Sequence, residues 1–277
     1  MQALFTLTPA ESRRLIGKGI AALPEVQNAK KNGYLLVSRG STTAYCLEEL
    51  LGQKIEKHRY AVGQTIRGIL CAIQAEDRLK PYTFHKGEVL PVEPGTVIDK
   101  LGPGDILLKG ANAIDAFGNL GVLMASANGG TMGQFYMPMK ARGLEIIYPV
   151  GLEKLIPSVE EAARYGGTLA VGKAIGIPVG MACVADGRPF TEIDALEALF
   201  DVAAVHYASG GWGGCEGCVT IIVEGPDDGV TKCMEFIDGK IKGEPALPGV
   251  KGPCKSCFMT HCSFHGTEEN MLPAWLK

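Results

Sequence analysis

Long apolar runs are missing from this chain. No segment reaches the roughly 18 consecutive apolar residues that a membrane-spanning helix requires, so no membrane partner is expected. A basic stripe is missing as well. The chain has 27 Lys and Arg against 30 Asp and Glu, a net charge of -3, and this gives no electrostatic reason to expect nucleic acid. The opening residues, MQALFTLTPAESRR, lack the basic-then-apolar layout of a secretory leader. Histidine is scarce, and His58 and His85 stand alone without a partner at ligand spacing, so both read as surface or packing residues. Cysteine is not scarce, but nine is an odd number. In a long chain without a leader that argues against a disulfide framework and for a reducing, cytoplasmic setting.

What is present is an ordinary globular balance, 46% hydrophobic and 21% charged, in a length that suits one large or two modest domains. The organising stretch runs from Asp105 to Pro149. An apolar run, Ile106-Leu107-Leu108, predicts a buried strand. Turns follow at Gly110-Ala111-Asn112 and at Asn128-Gly129-Gly130-Thr131-Met132-Gly133, and a second apolar run, Ile146-Ile147-Tyr148, comes after Gly143. Strand, glycine-rich turn, helix and strand in that order predict a parallel α/β sheet, with a ligand at the carboxyl ends of its strands.

The rest of the chain fits around that unit. Thr8, Pro9 and Glu11 form a helix start with a capping box, and this opening helix carries no assigned chemistry. Tyr34 to Val37 reads as a short strand leading through Arg39, Gly40, Ser41, Thr42 and Thr43 into a helix closed by Gly52. The turn is either an ordinary Ser/Thr cap or an anion site at a helix N-terminus, with Arg39 as a bidentate contact. Residues 68–73 predict another buried strand, and residues 82–104 an extended excursion. Glu153 and Lys154 read as a solvated charge pair or as cleft residues. Ser158 and Thr191 open two further helices. Five glycines between Gly210 and Gly217 require positive φ or a close approach, because glycine there otherwise only costs entropy.

The turn at Ser41-Thr42-Thr43, the segment Gly110-Ala111-Asn112-Ala113-Ile114-Asp115 and the turn Gly129-Gly130-Thr131 resemble the NagB/RpiA/CoA-transferase-like superfamily. Within it, residues 150–157, VGLEKLIP, look most similar to the LUD domain of lactate-utilisation proteins. The resemblance covers residues 30–225 and is strongest in the central third. It implies a parallel α/β sheet binding a phosphorylated sugar, nucleotide or acyl-CoA over these turns, in a homo-oligomer. Ribose-phosphate isomerases of that group carry aspartates where this chain has Lys109 and Asn112, and a lysine where it has Asn128. Isomerisation by their mechanism is therefore not expected, because it needs a carboxylate within reach of the substrate carbon. Asp115 remains as an acid/base or hydroxyl-binding candidate, or a turn-capping aspartate. Glu224 matches the placement of the glutamate nucleophile in CoA transferases.

Cys215-x-x-Cys218 and Cys254-x-x-Cys257 are two knuckle-type pairs, followed by Cys262 with His261 and His265. Brought together, the pairs would hold zinc as a staple for the tail. Cys254, Cys257 and Cys262 with one more cysteine would instead hold an iron–sulfur cluster. Unliganded thiols and a redox-active pair are the remaining readings. The expectation is an α/β domain over residues 1–243, with a mainly parallel sheet flanked by helices, and a Cys/Pro-rich tail over 244–277. The ligand is a small anionic metabolite held by Arg39, Ser41, Thr42, Thr43, Lys109, Gly110, Asn112, Gly129, Gly130 and Thr131.

Overall fold

The computed structural model describes every residue except Pro91. The chain opens with strand β1 (Gln2–Leu7), then helices α1 (Pro9–Ala22) and α2 (Pro24–Asn32). Thr8 caps α1 as the sequence predicts: its hydroxyl accepts from the Glu11 amide, and the Glu11 carboxylate accepts from the Thr8 amide at 2.9 Å. Strand β2 (Tyr34–Val37) feeds helix α3 (Ser41–Leu51), which Gly52 closes in the left-handed conformation at φ 68°. Then come the hairpin β3 (Gly63–Ile66) and β4 (Ile69–Ala72), and strands β5 (Tyr82–His85) and β6 (Glu88–Leu90).

The central unit contains β7 (Ile106–Leu108), the short β8 (Ala113–Ile114), β9 (Leu120–Met124), α4 (Gly130–Ala141) and β10 (Glu145–Pro149). After it come α5 (Val159–Ala163), β11 (Gly180–Val184), β12 (Arg188–Phe190), α6 (Glu192–Leu199), β13 (Ala203–Ser209), β14 (Val219–Glu224) and α7 (Asp227–Phe236). A second capping box, Thr191 with Asp194, opens α6.

The largest sheet has the order β12-β10-β7-β2-β5-β6. Its first four strands are parallel, and β5 and β6 continue it antiparallel. The parallel pairing of β7 with β10 is the one that the central pattern predicts. The other sheets among the described residues, β1-β14-β13, β11-β9-β8 and β3-β4, are antiparallel. The chain is therefore mixed α/β with one mostly parallel mixed sheet, and the expectation of a mainly parallel architecture is corrected. Antiparallel partners such as β1 and β14 come from opposite ends of the chain, so no local pattern announces them.

Two apolar cores cover the faces of the central sheet. Leu35, Val37, Ile106, Leu108 and Ile147 face one core, together with Leu15, Ile16 and Ile20 of α1, Leu47 of α3, and Val219, Ile221 and Val223 of β14. Leu36, Leu107, Ile146 and Tyr148 face the other core, under α4, with Val122, Met132, Phe135 and Met139. This alternation leaves the parallel strands apolar on both sides, as β7 shows with three buried residues in a row. Each fully buried leucine contributes about 1.5–3 kcal/mol.

The tail from residue 244 forms no strand. It lies against the β3–β4 hairpin, where the Val250 amide donates to Gln64 at 3.2 Å and Arg67 donates to the Leu276 carbonyl at 2.6 Å. Ile69, Cys254, Leu272 and Leu276 make a small separate core there. Residues 69–72 thus pair in a peripheral hairpin rather than in the main sheet.

Candidate functional site

Each parallel strand is followed at its carboxyl end by polar residues. Ser38 follows β2, Lys109 follows β7, Glu153 and Lys154 lie in the turn after β10, and Thr191 and Glu192 follow β12. The register Val37↔Leu108 makes Ser38 and Lys109 neighbours across the strand ends. Helix α1 reaches the same place, because Arg13 Nη2 lies 3.3 Å from Glu153 Oε1. Lys109 Nζ donates to the Gly110 carbonyl at 2.8 Å, and Lys154 Nζ to the Ala111 carbonyl at 3.0 Å. Glu192 is fully buried and accepts from the Leu152 amide at 3.0 and 3.2 Å, pinning the turn that carries Glu153 and Lys154.

The electrostatics follow from this crowding. Burial, and then the charge of Lys154, pushes the Lys109 ammonium down to about 8. Burial also lowers Lys154. Burial, and then Glu153, pushes the Glu192 carboxyl up to about 7. Both Lys109 and Glu192 therefore change charge near neutral pH.

Four buried polar atoms in this region lack a hydrogen-bond partner among the described residues: Arg13 Nε, Ser38 Oγ, Thr42 Oγ1 and Glu153 Oε2. An unsatisfied buried polar group costs about 1–3 kcal/mol, so such a set is unusual in a part of the fold that serves packing alone. The amides of Ser41, Thr42 and Thr43 precede the first intrahelical bond of α3, Ala44 N to Gly40 O, and remain free to meet an anion.

The remaining candidates from the sequence are engaged in structural contacts or lie elsewhere. Thr43 Oγ1 donates back to the Ser38 carbonyl at 2.6 Å, a local capping contact. Arg39 is held by the Leu79 carbonyl and by Glu93, at 3.1 Å each, so its charge is engaged within the chain. Asn112 accepts from the Leu123 amide and ties the start of β8 to β9. Asp115 is buried and accepts from the amides of Phe117, Asn119 and Val159 and from the Asn119 side chain, at 2.9–3.0 Å. Those bonds hold its carboxyl below the usual range despite burial, and they are the bonds of a turn cap. Gly129 and Gly130 take positive φ, 74° and 55°, at the start of α4, with the Gly130 amide donating to Asn128. No hydrogen bond or ion pair among the described residues joins this turn to Lys109. Glu224 bonds Gln2 at the far end of β14, about 17 Å of extended chain from Val219, and lies outside the strand-end group.

The two knuckle pairs do not come together. Cys218 has Cys215, Glu11 and Lys242 around it, whereas Cys254 packs with Ile69, Leu272 and Leu276. Between them the chain passes Glu244 against Arg14, Gly249 against Ile66 and Gly252 against Gln74. A zinc staple built from both pairs is thus not assembled by this fold. The glycines before Cys218 do take positive φ, and a Cβ at Gly217 would lie 3.4 Å from Pro9 Cγ and 3.8 Å from Glu153 Cβ. The loop therefore borders the strand-end group.

The sequence assigns no chemistry to α1 and does not mark Ser38 or Glu192. The available signal was Ser12 and Arg13 beside the buried face of an amphipathic helix. Comparison of the chain with family models, curated proteins and solved structures finds no match in any of the three.

Proposed function

We propose that this protein binds and transforms a small anionic metabolite, of the phosphosugar, nucleotide or acyl-CoA class, at the carboxyl ends of β2, β7, β10 and β12. The observation that carries this reading is the occurrence of four unsatisfied buried polar atoms and two lysines where parallel strands end. The free amides of α3 and the ammonium of Lys109 receive the anion. Lys109, poised near neutral pH, exchanges a proton with the bound substrate. The resemblance to the NagB/RpiA/CoA-transferase-like superfamily supports the same location.

Thermal denaturation with a hexose phosphate, ADP, acetyl-CoA and inorganic phosphate tests the proposal. A ligand at 100 times its Kd adds about 2.7 kcal/mol, roughly 5–10 °C for a chain near this size. Lys109→Ala is expected to keep the fold and lose at least about tenfold in affinity, a difference of about 1.4 kcal/mol. Binding to the wild type weakens as pH rises past about 8, where the ammonium is lost. Failure of the whole panel to stabilise the protein, or equal binding by Lys109→Ala, would overturn the reading.

A further inference from the structure

Three cysteines lie in a tail segment that packs against the strand carrying a fourth, Cys71, far upstream in the sequence. The route is a continuous backbone ladder. The Ile177 amide donates to the Leu70 carbonyl at 3.0 Å, and Leu70 bridges Gly176. The Ser263 amide in turn donates to the Gly176 carbonyl at 3.1 Å, and Gly176 donates to Ser263 Oγ at 2.9 Å. Cys71 follows Leu70 and Cys262 precedes Ser263, so the segments that carry the two cysteines flank the same Gly176–Ile177 peptide. Cys71 also packs on the small core that contains Cys254. The tail loop closes on itself, with the Cys257 and Gly266 amides donating to the Cys254 carbonyl at 3.3 and 3.0 Å and the Cys262 amide to the Met259 carbonyl at 3.0 Å, which holds Cys254, Cys257 and Cys262 in one compact turn.

The surroundings suit bound sulfur. The Met259 amide donates to Cys257 Sγ and the Phe264 amide to Cys262 Sγ, each at 3.5 Å and each from two residues further along. Such donors orient and tune metal-bound thiolates. Ile69, Leu272, Leu276 and Phe264 supply apolar packing around Cys254 and Cys71. We propose that Cys71, Cys254, Cys257 and Cys262 together ligate a four-iron, four-sulfide cluster, with β4 supplying the ligand that the tail lacks.

A cluster and a single ion make different demands on the thiols. Zinc holds its sulfurs at about 2.3 Å, which requires them to stand about 3.8 Å from one another. No three His, Cys, Asp or Glu side chains among the described residues are arranged to share a single ion. A cluster gives each thiolate its own iron and accepts a wider cage. The four thiols bind as thiolates and release their protons to solvent.

The test is anaerobic purification of the full chain from iron-replete cells, with visible spectra and iron and acid-labile sulfide analysis. The wild type is expected to be brown, to hold about four irons and four sulfides per chain, and to bleach with dithionite. Cys71→Ser and Cys257→Ser lose the colour, whereas Cys215→Ser and Cys218→Ser keep it. Circular dichroism of the colourless variants separates loss of a ligand from loss of the fold, and a folded Cys71→Ala variant that still takes up the full cluster overturns the assignment. A colourless wild type with one zinc, or with no metal after reconstitution with iron and sulfide, overturns it as well. Because Lys109→Ala leaves all four cysteines in place, this proposal and the strand-end proposal fail independently.

Discussion

Glu192 shows how one buried side chain ties stability to pH. Its carboxyl is raised from 4.5 to about 7, chiefly by burial and next by Glu153. Below pH 4.5 both folded and unfolded chains carry the proton, and the contribution to stability is fully present. Between 4.5 and about 7 the unfolded chain ionises while the folded one holds its proton, so stability is lost as pH rises. Glu192→Gln removes that loss. Urea unfolding is expected to show the variant gaining on the order of 1–3 kcal/mol over wild type at about pH 8 and little at about pH 4.5. Equal differences at both pH values would show that Glu192 ionises normally in the fold. Asp115 makes the opposite case, since its carboxylate is held charged by backbone amides. Its motif was legible in the sequence, but only the bonds to Phe117, Asn119 and Val159 identify it as a cap.

At the scale of elements, α1 and α3 are joined by charge as well as by apolar packing. Arg14 lies between Glu48 at 2.5 Å, Glu49 at 2.6 Å and Glu244 at 2.9 Å, and Lys57 adds a 2.9 Å contact to Glu48. Despite burial, Glu48 stays below the usual carboxylate range because the Ile55 amide, Arg14 and Lys57 favour its charge. Arg14→Met leaves these carboxylates short of a partner and is expected to cost about 3–5 kcal/mol in urea unfolding. A change under about 1 kcal/mol would mean that Lys57 on Glu48 and Lys18, 3.1 Å from Glu49, suffice. The ends of both helices were readable from Thr8, Glu11 and Gly52, since capping depends on residues close in sequence. The ion pairs were not, because Glu48 and Glu49 lie 34 and 35 residues from Arg14, and Glu244 lies 230 residues from it.

For the whole molecule, the tail is part of the fold rather than an appendage hanging from it. Removing residues 244–277 takes Glu244 from Arg14 and takes Leu272, Leu276 and Cys254 from Ile69. The truncated chain is expected to lose on the order of 3 kcal/mol or more, read as a lower urea midpoint. An unchanged midpoint would show that residues 1–243 are stable without it.

Local signals in the sequence determined the caps, the strands β2, β7, β10 and β14, and the glycine-rich loop before Cys218. Each depends on the periodicity or backbone freedom of a few neighbouring residues. Tertiary structure alone decided that three of the sheets are antiparallel, that α1 brings Arg13 to the strand ends, and that Cys71 packs on the small core of Cys254 while Cys218 lies by Glu11 and Lys242. Those outcomes depend on which distant segments pack together, and contacts of that kind leave no periodic trace along the chain.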